Sequence, residues 1–376
     1  MNSLINILKN KLFIGTFLEK SPSTDITNLR ASVIGVGGAG GNAIKRLSQD
    51  DIQGLRLLSF NTDMQALGNL DNIPTFALGP KTTNGLGSGG NPKIGKQASE
   101  ESKDQINELL AETDILFITA GMGGGTGTGA SPYIANLAKK LGILTVAIVT
   151  KPFDFEGEKR NHIAHLGIKN LKSKVDTLIV IDNNCLLQKQ VEFSSLNDAF
   201  QEADKILKDG VTGIWNIISK TGLVNIDFAD VKSVVSNGGM GYFAIGLGQG
   251  EKGVKDAVNY ALSTPFFSEP LKGCSGVLMN VKGDNRLSLD QVNSAAGLLR
   301  LAGGPNTDVI FGIVNDSKMK DKIEVTLLAT GIESELPVNS NISPKSVDKN
   351  LPVINVHTNN ENGGLNLLKN GSASVA

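Results

Sequence analysis

Residues 121–129 read Gly-Met-Gly-Gly-Gly-Thr-Gly-Thr-Gly, six glycines and two threonines in nine positions. Such a run cannot pack a core. It leaves the backbone bare to whatever approaches and permits turns closed to other residues. The apolar stretch Ile115 to Ala120 precedes it, and the helix-like stretch Ser131 to Leu141 follows. A glycine loop between a buried strand and a helix N-terminus turns several N–H groups toward one point, where the helix dipole also favours negative charge. The ligand suited to this is a phosphate chain, with the hydroxyls of Thr126 and Thr128 as further donors. A second cluster, Gly35-Val36-Gly37-Gly38-Ala39-Gly40-Gly41-Asn42, overlaps the end of the apolar run Ala31–Val36. It holds G-x-G-x-x-G at Gly35, Gly37 and Gly40, and Asp63 follows near the end of the next apolar run. That is the dinucleotide fingerprint with an acid for the ribose; the bland alternative is a tight strand–helix turn. A Rossmann half uses one glycine fingerprint, whereas here there are two, and no hydride-transfer set follows. A nicotinamide enzyme is therefore disfavoured. Two cradles on one sheet edge suit a nucleoside triphosphate. Neither loop contains lysine, so a Walker A P-loop is disfavoured too. Backbone N–H groups, the threonine hydroxyls and a metal ion would share the phosphate charge.

Buried strands must position these loops. Ala31–Val36, Leu55–Asn61, Ile115–Ala120, Ile143–Val149 and Thr177–Asp182 are continuously apolar rather than alternating, the pattern of a parallel sheet covered on both faces. Helical stretches are expected at 42–48, 93–112, 131–141 and 160–171. The fold class is α/β, doubly wound, with ligands at the carboxyl ends of the strands. A long helix over 195–221 carries Phe200, Ala203, Ile206, Leu207, Ile214, Ile217 and Ile218 at core spacing. A second, smaller α/β unit follows, with strands at 241–248, 276–282, 308–315 and 323–330 and helices at 253–263 and 289–302. The expected boundaries are an extension (1–30), the nucleotide domain (31–194), the connecting helix (195–221), the second domain (222–332) and a disordered tail (333–376) rich in asparagine and serine.

Charge is balanced, 36 basic against 37 acidic residues, which argues against a nucleic-acid binder. Cys185 and Cys274 lie far apart, and His162, His165 and His357 form no ligand set. A disulfide framework or zinc site is not expected, and a reducing cytoplasm fits. No apolar run is long enough to cross a bilayer. Residues 1–20 mix Leu4, Ile5, Leu8, Leu12 and Phe17 with lysines, so a weakly amphipathic membrane contact is one reading and a frayed terminus the other.

At this point the motifs resemble a family. Residues 121–129 match the tubulin signature loop. Residues 33–42, Asn61-Thr62-Asp63-Met64-Gln65-Ala66-Leu67, Thr150-Lys151-Pro152-Phe153-Asp154-Phe155-Glu156-Gly157 and 222–231 resemble the tubulin/FtsZ family, and within it the bacterial branch that builds the division ring. The resemblance covers about residues 31–332. It implies GTP binding and hydrolysis coupled to head-to-tail filament formation at the cytoplasmic division site, with GTP/GDP and Mg2+ as cofactors. Carried over by position, Gly38, Ala39, Gly40, Gly41 and Asn42 would line the α/β-phosphates. Gly124, Gly125, Thr126, Gly127 and Thr128 would hold the β/γ end. Glu156 and Arg160 would flank ribose and base, and Asn183 would lie near the guanine. Asp204 would accept from guanine N1–H and the 2-amino group. Taken alone, Glu156, Arg160 and Asp204 are ordinary helix-surface charges. Asn225, Asp227 and Asp230, in a helix-to-strand turn, would reach the nucleotide of the neighbouring subunit and orient the attacking water, so the monomer would be an incomplete enzyme.

The chain also departs from the family. Ala39 stands where glycine is usual, tolerable if φ is negative. Ile181-Asp182-Asn183-Asn184-Cys185 keeps Asn183 but changes the charge around it. The end, Asn366 to Ala376, holds no recognisable docking peptide for membrane-tethering partners. The expected partners are further copies of the chain and division or tethering proteins, not nucleic acid. The alternative function is a specialised second filament protein with slow turnover.

Overall fold

The structure is a computed structural model that describes residues 29–50, 52–188, 195–220, 222–263 and 271–332. The expected N-terminal amphipathic segment and the C-terminal tail lie outside the described residues.

Among the described residues ten strands form one sheet: β1 (Ala31–Val36), β2 (Leu55–Asn61), β3 (Thr75–Ala77), β4 (Ile115–Gly121), β5 (Leu144–Lys151), β6 (Thr177–Asp182), β7 (Gly239–Gln249), β8 (Gly276–Gly283), β9 (Asp308–Asn315) and β10 (Lys322–Thr330). Their order is β3-β2-β1-β4-β5-β6-β7-β10-β8-β9. The first six strands are parallel, and β1 and β4 are buried on both faces, as their unbroken apolar runs require. This doubly wound arrangement matches the expected fold class. The chain order reverses between β1 and β4, and open α/β sheets bind ligands at that switch point. Both glycine clusters follow these two strands. β6 continues to β7 through only Thr177, Leu178 and Ile179. β10 runs antiparallel to both β7 and β8, and β9 is parallel to β8.

Several elements differ from expectation. The helices after β1 and β4 begin inside the glycine clusters, at Gly37 and Thr126 rather than at 42 and 131. Low intrinsic propensity hid these starts; the packing of each helix against the sheet overrides it. The expected helix 93–112 is two helices, Pro92–Glu101 and Lys103–Leu110, meeting at Ser102, whose Oγ accepts the Gly79 N–H. The acidic segment is not a helix-to-strand turn: Asp227 caps a helix, Phe228–Val235.

The connecting helix, Leu196–Ser219, starts at Ser195, whose Oγ accepts the Asp198 N–H. Leu207, Val211, Ile214, Trp215, Ile217 and Ile218 share a core with Val146 and Ile148 of β5, Leu278 of β8 and Leu328 of β10. Each such side chain, fully buried, is worth roughly 1.5–3 kcal/mol. The Trp215 indole donates to the Gln53 carbonyl (3.0 Å). Opposite it, Gly213 lets Phe243 close in, since a Cβ there would lie 2.4 Å from the ring.

Candidate functional site

The helices Gly37–Leu47 and Thr126–Lys140 both start without a side-chain cap, and neither has an acid in its first turn. Their leading N–H groups are therefore left for a ligand, under two aligned helix dipoles. The two starts touch: a Cβ on Gly37 (φ +75°) would lie 3.0 Å from the Gly127 nitrogen. Most cluster glycines have a packing reason. A Cβ on Gly40 would sit 2.5 Å from the Thr119 carbonyl, one on Gly125 2.2 Å from Ser88 Oγ, and one on Gly127 2.5 Å from the Gly121 carbonyl. Gly38 and Gly124 have none, for a Cβ at either would meet no protein atom within 4 Å. Both line an open cleft of about 210 Å³.

The cleft is lined by Gly38, Ala39, Gly124, Gly125, Thr126, Gly127, Glu156, Arg160, Asn183 and Asp204 of the expected set. Gly40, Gly41 and Thr128 stand behind the lining; Asn42 reaches it through a hydrogen bond to Asp204. Ala39 is not among the residues with positive φ, and its methyl closes on Gly121. The threonine hydroxyls are engaged within the chain. Thr126 Oγ1 lies 2.7 Å from Thr62 Oγ1 and 3.1 Å from Ser88 Oγ, and Thr128 Oγ1 accepts the Gly123 N–H. They hold the loop in shape, and the backbone N–H groups are what the loop offers outward.

At the other end of the cleft, Glu156 accepts the Phe153 N–H and pairs with Arg160 at 2.9 Å. The altered segment after β6 balances its own charge. Asp182 pairs with Lys151 at 2.6 Å and accepts from the backbone N–H and the side-chain amide of Asn184. Asn183 then turns inward, 5% exposed, with no hydrogen-bond partner for Oδ1. A buried acceptor without a partner costs about 1–3 kcal/mol, so a donor from a ligand is expected there. Asp204, 8% exposed, is a second acceptor. Burial raises its pKa from 3.8 to about 6, against the opposing charge of Arg46 and the hydrogen bond from Asn42.

Sequence spacing does not mark Phe200, Ala203 or Ser88 as lining residues, yet all three line the cleft. The spacing of Phe200 predicts a core position, but it is 40% exposed and lines the cleft one helical turn before Asp204. Its i, i+4 relation to Asp204 was the available signal. Ser88 sits in a further glycine-rich run, 85–90. Asp63, the acid of the dinucleotide fingerprint, caps the short helix Met64–Gly68 and does not line the cleft. Asn225, Asp227 and Asp230 do not line it either. Asp227 Oδ1 accepts the Asp230 N–H (2.7 Å), and Asn225 Oδ1 accepts the Gly222 N–H.

Known proteins share both halves. The sequence model described as the Tubulin/FtsZ family, GTPase domain, matches residues 30–190, and that of the FtsZ family, C-terminal domain, matches residues 239–333. An empty FtsZ dimer from M. jannaschii superposes with a TM-score of 0.76 at 38% identity, covering 86% of this chain and 92% of that one. CetZ2 from Haloferax volcanii, a GTPγS-bound protofilament, shares the fold at 21% identity (TM-score 0.70, 81% and 94% covered). CetZ1 from the same organism, a GDP-bound monomer, does so at 19% (TM-score 0.71, 82% and 96% covered). With its two domain models matched in order and this fold carried at 38% identity along most of its length, the chain belongs to the tubulin/FtsZ family of GTPases.

Proposed function

We propose that this chain binds GTP in the cleft, assembles head to tail into filaments, and hydrolyses GTP only where two subunits meet. The phosphates would lie on the uncapped N-termini at Gly37 and Thr126, with Gly38 and Gly124 leaving the room. Asn183 and Asp204 present two acceptors to the base. Guanine answers with N1–H and its 2-amino group, whereas adenine offers no such adjacent pair. Phe200 supplies an apolar face beside them. Among the described residues no group of three or more His, Cys, Asp and Glu side chains could hold a metal. Of the two cleft carboxylates, Glu156 is paired with Arg160 and Asp204 with Asn42. This donor set fits a magnesium ion carried on phosphate oxygens and water, where it would offset the charge of the phosphate chain.

One observation carries assembly of the site between subunits. The cleft opens at the carboxyl end of the first six strands, yet the helix headed by Asp227 ends against the amino end of β6. Among the described residues, no cleft-lining carboxylate is left unpaired to orient water. A neighbour stacked head to tail would bring Asn225, Asp227 and Asp230 to the open phosphate end. The dimer and protofilament described for FtsZ and CetZ2 support self-association of this kind. We further assign the filament to the cytoplasmic cell-division ring, as in the bacterial branch that the motifs resemble.

GTP turnover per subunit, measured against protein concentration, tests the reading. The rate per subunit should rise steeply above a threshold concentration, and Asp227→Ala should form filaments while losing at least about tenfold in turnover. A rate independent of concentration would contradict it.

A further inference from the structure

The helix Phe228–Val235 is held from behind. A helix leaves its last carbonyls without partners inside the helix. Here two buried hydroxyls from different strands take them. Thr330 of β10 donates to the Val234 carbonyl at 2.6 Å, and Thr177 of β6 donates to the Val235 carbonyl at 2.7 Å. Both threonines are 0% exposed. Asp176 adds a third tie: its Oδ1 accepts the Asn237 N–H, its carbonyl accepts the Gly239 N–H, and its Oδ2 accepts the Thr145 N–H of β5. Gly238 has to be glycine for this, because a Cβ would lie 2.6 Å from Thr177 Oγ1.

The same strand, β6, ends at Asp182, and the next residue is Asn183, whose unpartnered Oδ1 lies among the cleft residues. β6 is hydrogen-bonded to β5 along its whole length and buried from Thr177 to Ile181. It is therefore a stiff strut of about 17 Å, from the five rises of about 3.3 Å between its six residues. One end reaches the nucleotide cleft and the other grips the helix headed by Asp227. The inference rests on the reading of Asp227 and its neighbours given above. We propose that Thr177 and Thr330 are positioning residues: their hydroxyls set the axis of this helix, and through it the reach of the acids toward the next subunit's nucleotide.

Thr177→Val tests this with little risk to the fold, since the Val235 carbonyl keeps the Gly238 N–H. The variant should bind GTP and form filaments as the parent does, with KM unchanged and kcat down about ten- to a hundredfold, the scale of an ångström of misplacement. Thr177→Ser, which keeps the donor, should restore kcat. If valine is refused by the fold, Thr177→Cys takes its place, with similar volume and a much weaker donor. A kcat equal to the parent's at equal filament mass would overturn the proposal, as would a serine variant as slow as the valine one. Asp227→Ala is measured alongside. If it turns over GTP at the parental rate, the assignment of the acids has failed, and the proposal with it. If it is slow while Thr177→Val is fast, only the proposal has failed.

Discussion

Asp204 sits in a conflict between stability and recognition. Burial raises its pKa from 3.8 to about 6, so the carboxylate that would accept two guanine donors is strained in the ligand-free chain near neutral pH. The folded value lies above the unfolded one. Its contribution to stability is thus complete below about pH 4 and is lost as pH rises through about 6. The difference amounts to on the order of 2–3 kcal/mol. Asp204→Asn should therefore raise the ligand-free melting temperature at pH 7.5 and lower GTP affinity, because an amide accepts from guanine less well. In the parent, affinity should fall as pH drops from 7 to 5. Calorimetric titration across that range checks the binding, and thermal melts check the stability. Asp204 and Glu156 were legible in the sequence only through the family motifs, since a lone acid on a helix surface looks like any other. Phe200 was misjudged because helical spacing cannot distinguish a core face from a cleft wall.

At the scale of elements, two helix starts and two strand ends frame the proposed phosphate site. Glycines that look alike in the sequence do opposite jobs here. Gly38→Val puts a side chain into open space, and should leave the ligand-free fold within about 1 kcal/mol while blocking nucleotide binding. Gly40→Ala drives a methyl to 2.5 Å from the Thr119 carbonyl, and should cost about 1–3 kcal/mol by overpacking. Urea unfolding paired with a fluorescent GTP titration separates the two. The reverse pattern, with Gly40→Ala stable and Gly38→Val unfolded, would contradict this assignment of the glycines. Strand positions were readable because continuous apolar runs mark two-sided burial. The helix starts were not, because glycine's low propensity masks a helix that its tertiary contacts impose.

For the whole molecule, the separation of cleft and acids predicts complementation. Gly38→Val keeps its acids but loses its nucleotide. Asp227→Ala keeps its nucleotide but loses an acid. Each alone should turn over GTP slowly. Mixed at equal amounts above the assembly threshold, they should recover a substantial part of the parental rate. An interface in which Asp227→Ala supplies the nucleotide cleft and Gly38→Val supplies the acids holds an intact copy of each half, whereas the opposite interface holds neither. Mixtures no faster than the sum of the separate variants would count against a shared site. Stirred assays of GTP turnover with light scattering report rate and filament mass together.

By itself the sequence determined the α/β class, the two phosphate-suited loops and the family, because those depend on local chemistry: apolar runs, bare glycine backbone and motifs in order. Only the tertiary structure decided which glycines leave room for a ligand, which hydroxyls are already engaged, and that Asn183 Oδ1 and Asp204 face one cleft. It also set the helix headed by Asp227 against the far end of β6. These are facts of long-range proximity. Residues 177 and 235 lie on different elements, and nothing in either segment specifies that a threonine hydroxyl will meet a helix's last carbonyl until the sheet has closed around both.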